Sequence, residues 1–274
     1  AETIARSTAM NPPWLRGLKR LGRRFNIRQR FLYRLERALL SERSARVHVA
    51  ALSEYVRRPV LEQGLPAERI HVVFNGVDVA PLDAQSCETV RAELGWPQTR
   101  PVVLFVAHNF KLKGLQELLF ATAAAKSEWG VVVAGRDDPR PYQRLARRLG
   151  IEPRVRFVGT TTPVATWYGV ADVLAHPTWY DPCSRVVLEA LSLGLPAVTT
   201  RYNGAAEVME PGRQGVVIDE PNDVAALAAG IEAALQRSVR EACRADAPRL
   251  RAQLSMARHA RELVNLYEHV LAKV

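Results

Sequence analysis

The chain has 274 residues, 48% of them hydrophobic and 24% charged, a balance that excludes a disordered or fibrous protein and suffices for a sizeable packed core. No apolar run approaches the roughly 18–20 residues needed to cross a bilayer, and Cys87, Cys183 and Cys243 stand too far apart for a zinc site or a disulfide framework. The net charge of +10 is concentrated at one end: residues 1–46 carry twelve Lys or Arg against three Glu, whereas the rest carries 26 basic and 25 acidic side chains. That distribution argues for a local anionic partner and against nucleic-acid binding spread over the fold.

In chain order, residues 12–40 read as basic amphipathic helices, with Trp14, Leu18, Leu21 and Phe25 and then Leu32, Leu35 and Leu39 forming the apolar stripe. Two readings of this region stay open: a solvated face that covers another part of the protein, or attachment to an anionic membrane surface. Nucleic acid is not expected as a partner, because no aromatic reading surface accompanies the charge. The run 47–52 predicts a strand, Ser53 caps a helix reaching about Gly64, and 70–74 predicts a second strand stopped by Asn75-Gly76. A Pro- and Asp-rich stretch over 78–84 is the candidate linker.

From about residue 100 the pattern alternates. Apolar runs at 102–107, 131–134, 155–158, 172–175, 196–200 and 215–218 are separated by helical stretches near 114–126, 139–149, 163–170, 185–194, 204–209 and 223–236. Continuous apolar strands alternating with helices predict an α/β fold, with a doubly wound parallel sheet covered on both faces. Such sheets hold ligands beyond the carboxyl ends of their strands, against helix N-termini. The tail, 248–273, predicts one more helix. A cytoplasmic location is the expectation, since the first residues lack the layout of a secretory leader and the cysteines suit a reducing compartment.

Three segments fall at strand ends. In the first, a strand ends near Ala175, a turn carries Asp181, and a helix begins near Ser184 with Val187 in its first turn and Glu189 further along. Free amides and the helix dipole make that turn an anion site suited to a diphosphate, while carboxylates accept pairs of hydroxyl hydrogen bonds. Cys183 reads as a small turn residue, since no base stands at a recognisable spacing, and His176 as a residue that fixes the turn. The second segment, Phe105 to Gly114, offers Lys111 and Lys113 to phosphates, with His108 at the edge. The third pairs Val133-Ala-Gly-Arg136 with Phe157-Val-Gly-Thr-Thr161-Thr, two strand ends able to frame a base; Arg136 either contacts the nucleotide or caps its loop.

The block Asp181-Pro-Cys-Ser-Arg-Val-Val-Leu-Glu189 resembles the acidic-x7-Glu motif of retaining glycosyltransferases of family 4, which have the two-Rossmann-domain GT-B fold. Ala-Leu-Ser-Leu-Gly-Leu-Pro196, Asn203-Gly-Ala-Ala-Glu207, Asn75-Gly-Val-Asp78 and Lys113-Gly114 are similar to the family as well, and the likeness covers roughly residues 45–240. The stretch from Ala107 to Gly114, with His108 where many relatives carry Arg, resembles the branch that contains the lipopolysaccharide-core glucosyltransferase.

The resemblance implies that Glu189 bonds the nucleotide ribose, that Asp181 and the amides of Cys183 and Ser184 hold the donor sugar, and that Lys113 binds the diphosphate. It implies a UDP-sugar donor, an envelope lipid or glycan acceptor, retention at the anomeric carbon, and no metal or other cofactor. It also implies three parts: residues 1–80 as the remnant of an N-terminal acceptor domain, 81–247 as the nucleotide-sugar-binding Rossmann-like domain, and 248–274 as a C-terminal helix. With the acceptor domain incomplete, a donor-binding module without transfer and a nucleotide-sugar epimerase of the same fold are the alternatives.

Overall fold

The computed structural model describes residues 47–160 and 164–272, together with Phe31, Arg34, Leu35 and Ala38, which are helical. The amphipathic reading of 12–40 otherwise lies outside the described residues.

The chain opens with a small parallel unit. Strand β1 (Val49–Ala51) leads into helix α1 (Glu54–Leu61) and returns as β2 (Ile70–Val72), with Val49 opposite Ile70. Ser53 caps α1 as expected, its hydroxyl accepting from the Val56 amide at 3.2 Å. After the connection at 78–83 comes α2 (Ala84–Glu93), a helix absent from the sequence reading and capped by Asp83.

The six predicted strands then appear as β3 (Val102–Val106), β4 (Gly130–Ala134), β5 (Val155–Gly159), β6 (Val173–His176), β7 (Ala197–Thr200) and β8 (Gly215–Ile218), all parallel in the order β5-β4-β3-β6-β7-β8. Between them run α3 (Leu115–Ala124), α4 (Arg140–Arg148), α5 (Ala165–Val170), α6 (Arg185–Ser192), a 3₁₀ turn (Gly204–Val208) and α7 (Val224–Ala234).

The side-chain period of two sorts the strand residues into two cores. Val103, Phe105, Val131, Val133 and Val198 pack under α3 and α7 on one face. Val102, Leu104, Val132, Leu174 and Ala197 pack on the other, with Val187, Leu188 and Leu191 of α6. A sheet buried on both sides needs apolar residues at every position, which is why these strands read as continuous runs.

Two helices close the chain, α8 (Arg237–Gln253) and α9 (Met256–Leu271). The single helix expected over 248–273 is therefore corrected. Pro248 lies inside α8 at an exposed position, and the break comes at Leu254 and Ser255. Helix α9 returns to the first unit: Arg258 donates to the carbonyls of Phe74 (3.0 Å) and Asn75 (2.8 Å).

Candidate functional site

Neighbouring β3 and β6 lead their helices away to opposite sides, the kind of switch point at which parallel sheets hold ligands. The β3 loop carries Lys113 and the β6 loop carries Asp181. Residues 68 positions apart thereby meet: Lys113 Nζ donates to Asp181 Oδ2 at 2.7 Å and to the Tyr180 carbonyl at 3.0 Å. Gly114 lets the β3 loop turn at this point, with φ of 82°, and a Cβ there would run into the Pro177 carbonyl. Trp179 N donates to the Leu112 carbonyl at 2.9 Å, tying the two loops together.

The Asp181 loop is also held from its other side. Asp181 N donates to the Tyr202 carbonyl (2.9 Å), and Gly204 N donates to the Asp181 carbonyl (3.0 Å). Buried His176 lies with Nε2 3.4 Å from Asp181 Oδ2 and 3.4 Å from Ser184 Oγ. Burial by itself would raise the Asp181 carboxyl, but the His176 hydrogen bond and the Lys113 charge outweigh it and bring the group down to about 2. For His176 burial is the largest influence and lowers its pKa, so the ring is neutral at pH 7. Donation from Nε2 then leaves Nδ1 bare, and Nδ1 has no hydrogen-bond partner.

Helix α6 begins at this loop. Its first helical bond runs from Leu188 N to the Ser184 carbonyl at 3.2 Å, so the amides of Arg185, Val186 and Val187 are the open donors of the first turn. A helix start with free amides favours an anion. Val187 is a correction: the whole residue is buried in the core under the sheet, so it offers a ligand no surface. The amides of Cys183 and Ser184, expected to face a sugar, are occupied here, donating to Asp181 Oδ1 (3.2 Å) and Asn203 Oδ1 (3.1 Å). Burial pushes the Cys183 thiol up to about 12, which suits a packed turn residue and not a nucleophile.

Glu189 sits part-way along α6 and accepts a 2.8 Å hydrogen bond from the hydroxyl of Tyr168 on α5, with Arg185 at 4.0 Å. Burial, then the adjoining carboxylate, raises Tyr168 well above the ordinary phenol value, so it remains a donor.

Lys111, His108 and Arg136 follow β3 and β4 at the expected edge, but all three are exposed and form no ion pair among the described residues. Thr161 lies outside the described residues. No group of three or more His, Cys, Asp or Glu among the described residues is arranged to hold a metal.

Sequence reasoning missed Tyr168, Asn203 and Glu117. Glu117, in the first turn of α3, is buried with Oε2 unpartnered, and burial raises its pKa. Its sequence signal was a Glu at a position that the helical period turns inward.

Comparison with known proteins points the same way. A family model described as glycosyl transferases group 1 matches residues 86–250. The D-inositol 3-phosphate glycosyltransferase of Corynebacterium kroppenstedtii is 32% identical over 223 residues, which cover 75% of this chain and 49% of that protein. The lipopolysaccharide glucosyltransferase WaaG of Escherichia coli K12 is 31% identical over 140 residues, 50% of this chain and 37% of that one. The crystal structure of WaaG, a glycosyltransferase involved in lipopolysaccharide biosynthesis, superposes with a TM-score of 0.74 at 26% identity, covering 83% of this chain and 65% of that chain. The GT-B type expected for the fold is thus the type of its structural relatives. The chain spans about half the length, or less, of the curated relatives it matches.

Proposed function

The chain belongs to the group 1 glycosyl transferases, and on that premise we propose that it captures a nucleotide diphosphate sugar, a UDP-sugar, and passes the sugar to a hydroxyl acceptor with retention, as a hexosyltransferase of family 4 type. The observation that carries this reading is the Lys113–Asp181 pair, at 2.7 Å, beside the open amides at the start of α6. A cation and a helix N-terminus suit a diphosphate, and adjoining carboxylates suit hydroxyls. As the bond from the anomeric carbon to the diphosphate breaks, its electron pair goes to the leaving phosphate oxygen. Lys113 and the α6 amides stabilise that charge. The acceptor oxygen bonds the same carbon and passes its proton to the leaving diphosphate oxygen. Glu189, oriented by Tyr168, holds the ribose, and no metal or cofactor enters this scheme.

An envelope lipid or polysaccharide is the acceptor class, supported by the lipopolysaccharide role printed for WaaG. Work at the cytoplasmic face of a membrane, through the basic residues 12–40, belongs to the same reading. No helix among the described residues is long and apolar enough to cross a membrane. Phe31 and Leu35, one helical turn apart, are 64% and 46% exposed, which supports surface attachment. Binding to vesicles that ignores anionic lipid content or salt would end the membrane part of the proposal.

The central test is calorimetry with a panel of UDP-sugars. Glu189→Ala is expected to weaken binding at least about tenfold, a loss of about 1.4 kcal/mol; unchanged affinity would remove the site assignment. UDP release that rises on adding a lipooligosaccharide acceptor identifies transfer. Release independent of acceptor identifies an epimerase or hydrolase, and binding without release identifies a donor-binding module.

A further inference from the structure

A trans peptide unit is planar, so fixing the carbonyl of one residue fixes the direction of the next residue's N–H. Both peptide units that carry the Cys183 and Ser184 amides are fixed in this way, and from the same side. The Ser53 hydroxyl donates to the Pro182 carbonyl at 2.6 Å, which sets the Cys183 N–H. Asn75 Nδ2 donates to the Cys183 carbonyl at 2.8 Å, which sets the Ser184 N–H. Both anchors belong to the small β1-α1-β2 unit and its exit, more than a hundred residues away in sequence.

The anchors are themselves braced. Ser53 is fully buried at the start of α1, and the next two amides of that helix, Glu54 N and Tyr55 N, donate to the two oxygens of Glu207 at 2.9 and 2.7 Å. Gly204 keeps this approach open, since a Cβ there would strike both the Pro182 carbonyl and Ser53. The Asn75 carbonyl is held by Arg258 of α9. By contrast, Lys113 and the Tyr168–Glu189 pair are positioned by the large sheet and its helices, without the small unit.

We propose that Ser53 and Asn75 are positioning residues for the donor sugar, aiming the Cys183 and Ser184 amides at its hydroxyls, so that grip on the sugar depends on the N-terminal unit while grip on the nucleotide does not. The inference rests on the donor-site reading above. The acceptors on these amides are Asp181 and Asn203, and sugar oxygens would take their place.

The test measures affinity for UDP and for UDP-glucose, by calorimetry on the 274-residue chain and its Asn75→Asp, Asn75→Ala and Ser53→Ala variants. Each variant is expected to bind UDP within twofold of wild type and to bind UDP-glucose about fivefold to tenfold more weakly, the range for one hydrogen bond. Ser53→Ala also removes the cap of α1. Should it fail to fold, the Asn75 variants carry the test, since that side chain caps no helix. Equal losses for both ligands would show general loosening and overturn the proposal, as would no loss for either. Wild type binding UDP-glucose no better than UDP would overturn it as well. Wild type binding neither ligand would remove the donor-site reading and the proposal together.

Discussion

Lys113 and Asp181 neutralise one another at 2.7 Å, with side chains only 19% and 13% exposed. A diphosphate must therefore share or take over the ammonium, and Asp181 competes with it for that charge. Removing the competitor has opposite effects on the two halves of the donor. Asp181→Asn is expected to bind UDP at least as tightly as wild type and to lose the added affinity for UDP-glucose. It is also expected to lower stability by about 3 kcal/mol, because a largely buried ammonium loses its counter-charge. Calorimetry and denaturant unfolding read both effects. Weaker UDP binding in this variant would contradict the competition.

Tyr168 orients Glu189 across 2.8 Å from a neighbouring helix. Burial and the adjoining carboxylate hold the phenol protonated near neutral pH, so there this hydrogen bond is a constant feature and not a switch. Tyr168→Phe keeps the ring in its buried place and deletes only the donor. Since hydrogen bonds to a charged acceptor contribute about 1.5–3 kcal/mol, UDP affinity is expected to fall about tenfold. The unfolding midpoint should move by a few degrees at most. A large loss of stability with affinity intact would make Tyr168 a packing residue only.

The pH response of the site follows from His176 and Asp181. His176 takes a proton near 6.5 when unfolded but only at lower pH when folded. Below 6.5 the unfolded chain thus binds more protons, and this residue's contribution to stability is lost as pH falls from 6.5 toward the folded value; above 6.5 it is fully present. Asp181 shifts in the opposite setting: its contribution is present above 3.8 and is lost only as pH falls toward about 2. The carboxylate therefore stays ionised throughout the histidine window. An NMR titration should find the His176 ring with a midpoint below 6.5, and lower still in Asp181→Asn, where an opposing carboxylate is gone. A midpoint at or above 6.5 would refute the assigned tautomer and burial.

Much of the sheet was legible because burial on both faces leaves each strand an uninterrupted apolar run; the runs at 102–107 and 131–134 became β3 and β4 almost residue for residue. Helix α2 was not legible, since it buries no residue fully and so carries no stripe; its one signal was the Asp83 cap. The start of α8 was not legible either: the helix runs through Pro248 from Arg237, well before the expected 248. Within the site, Asp181 and Lys113 were each readable as chemistry, but their pairing depends on β3 lying beside β6, a fact of strand order that local sequence does not encode. Tyr168, Ser53 and Asn75 reach the site's residues by hydrogen bonds that cross between elements, and although Ser53 was readable as a cap and Asn75 as part of a family-like stretch, those long-range bonds were not.

Val187 gives the sharpest division between residue type and backbone position. It stands in the first turn of α6, where position alone suggests contact with a ligand, yet its side chain is wholly enclosed by the core that includes Leu104, Leu174 and Leu188. Truncation there should act on the fold and leave ligand binding untouched, since the residue has no exposed surface to offer a ligand. Val187→Ala is expected to lose about 2 kcal/mol of stability, the transfer and cavity terms for two buried carbons, with UDP affinity within twofold of wild type. Denaturant unfolding and calorimetry on the same preparation separate the two quantities. Unchanged stability combined with a fivefold or greater loss of UDP affinity would mean that Val187 meets the ligand.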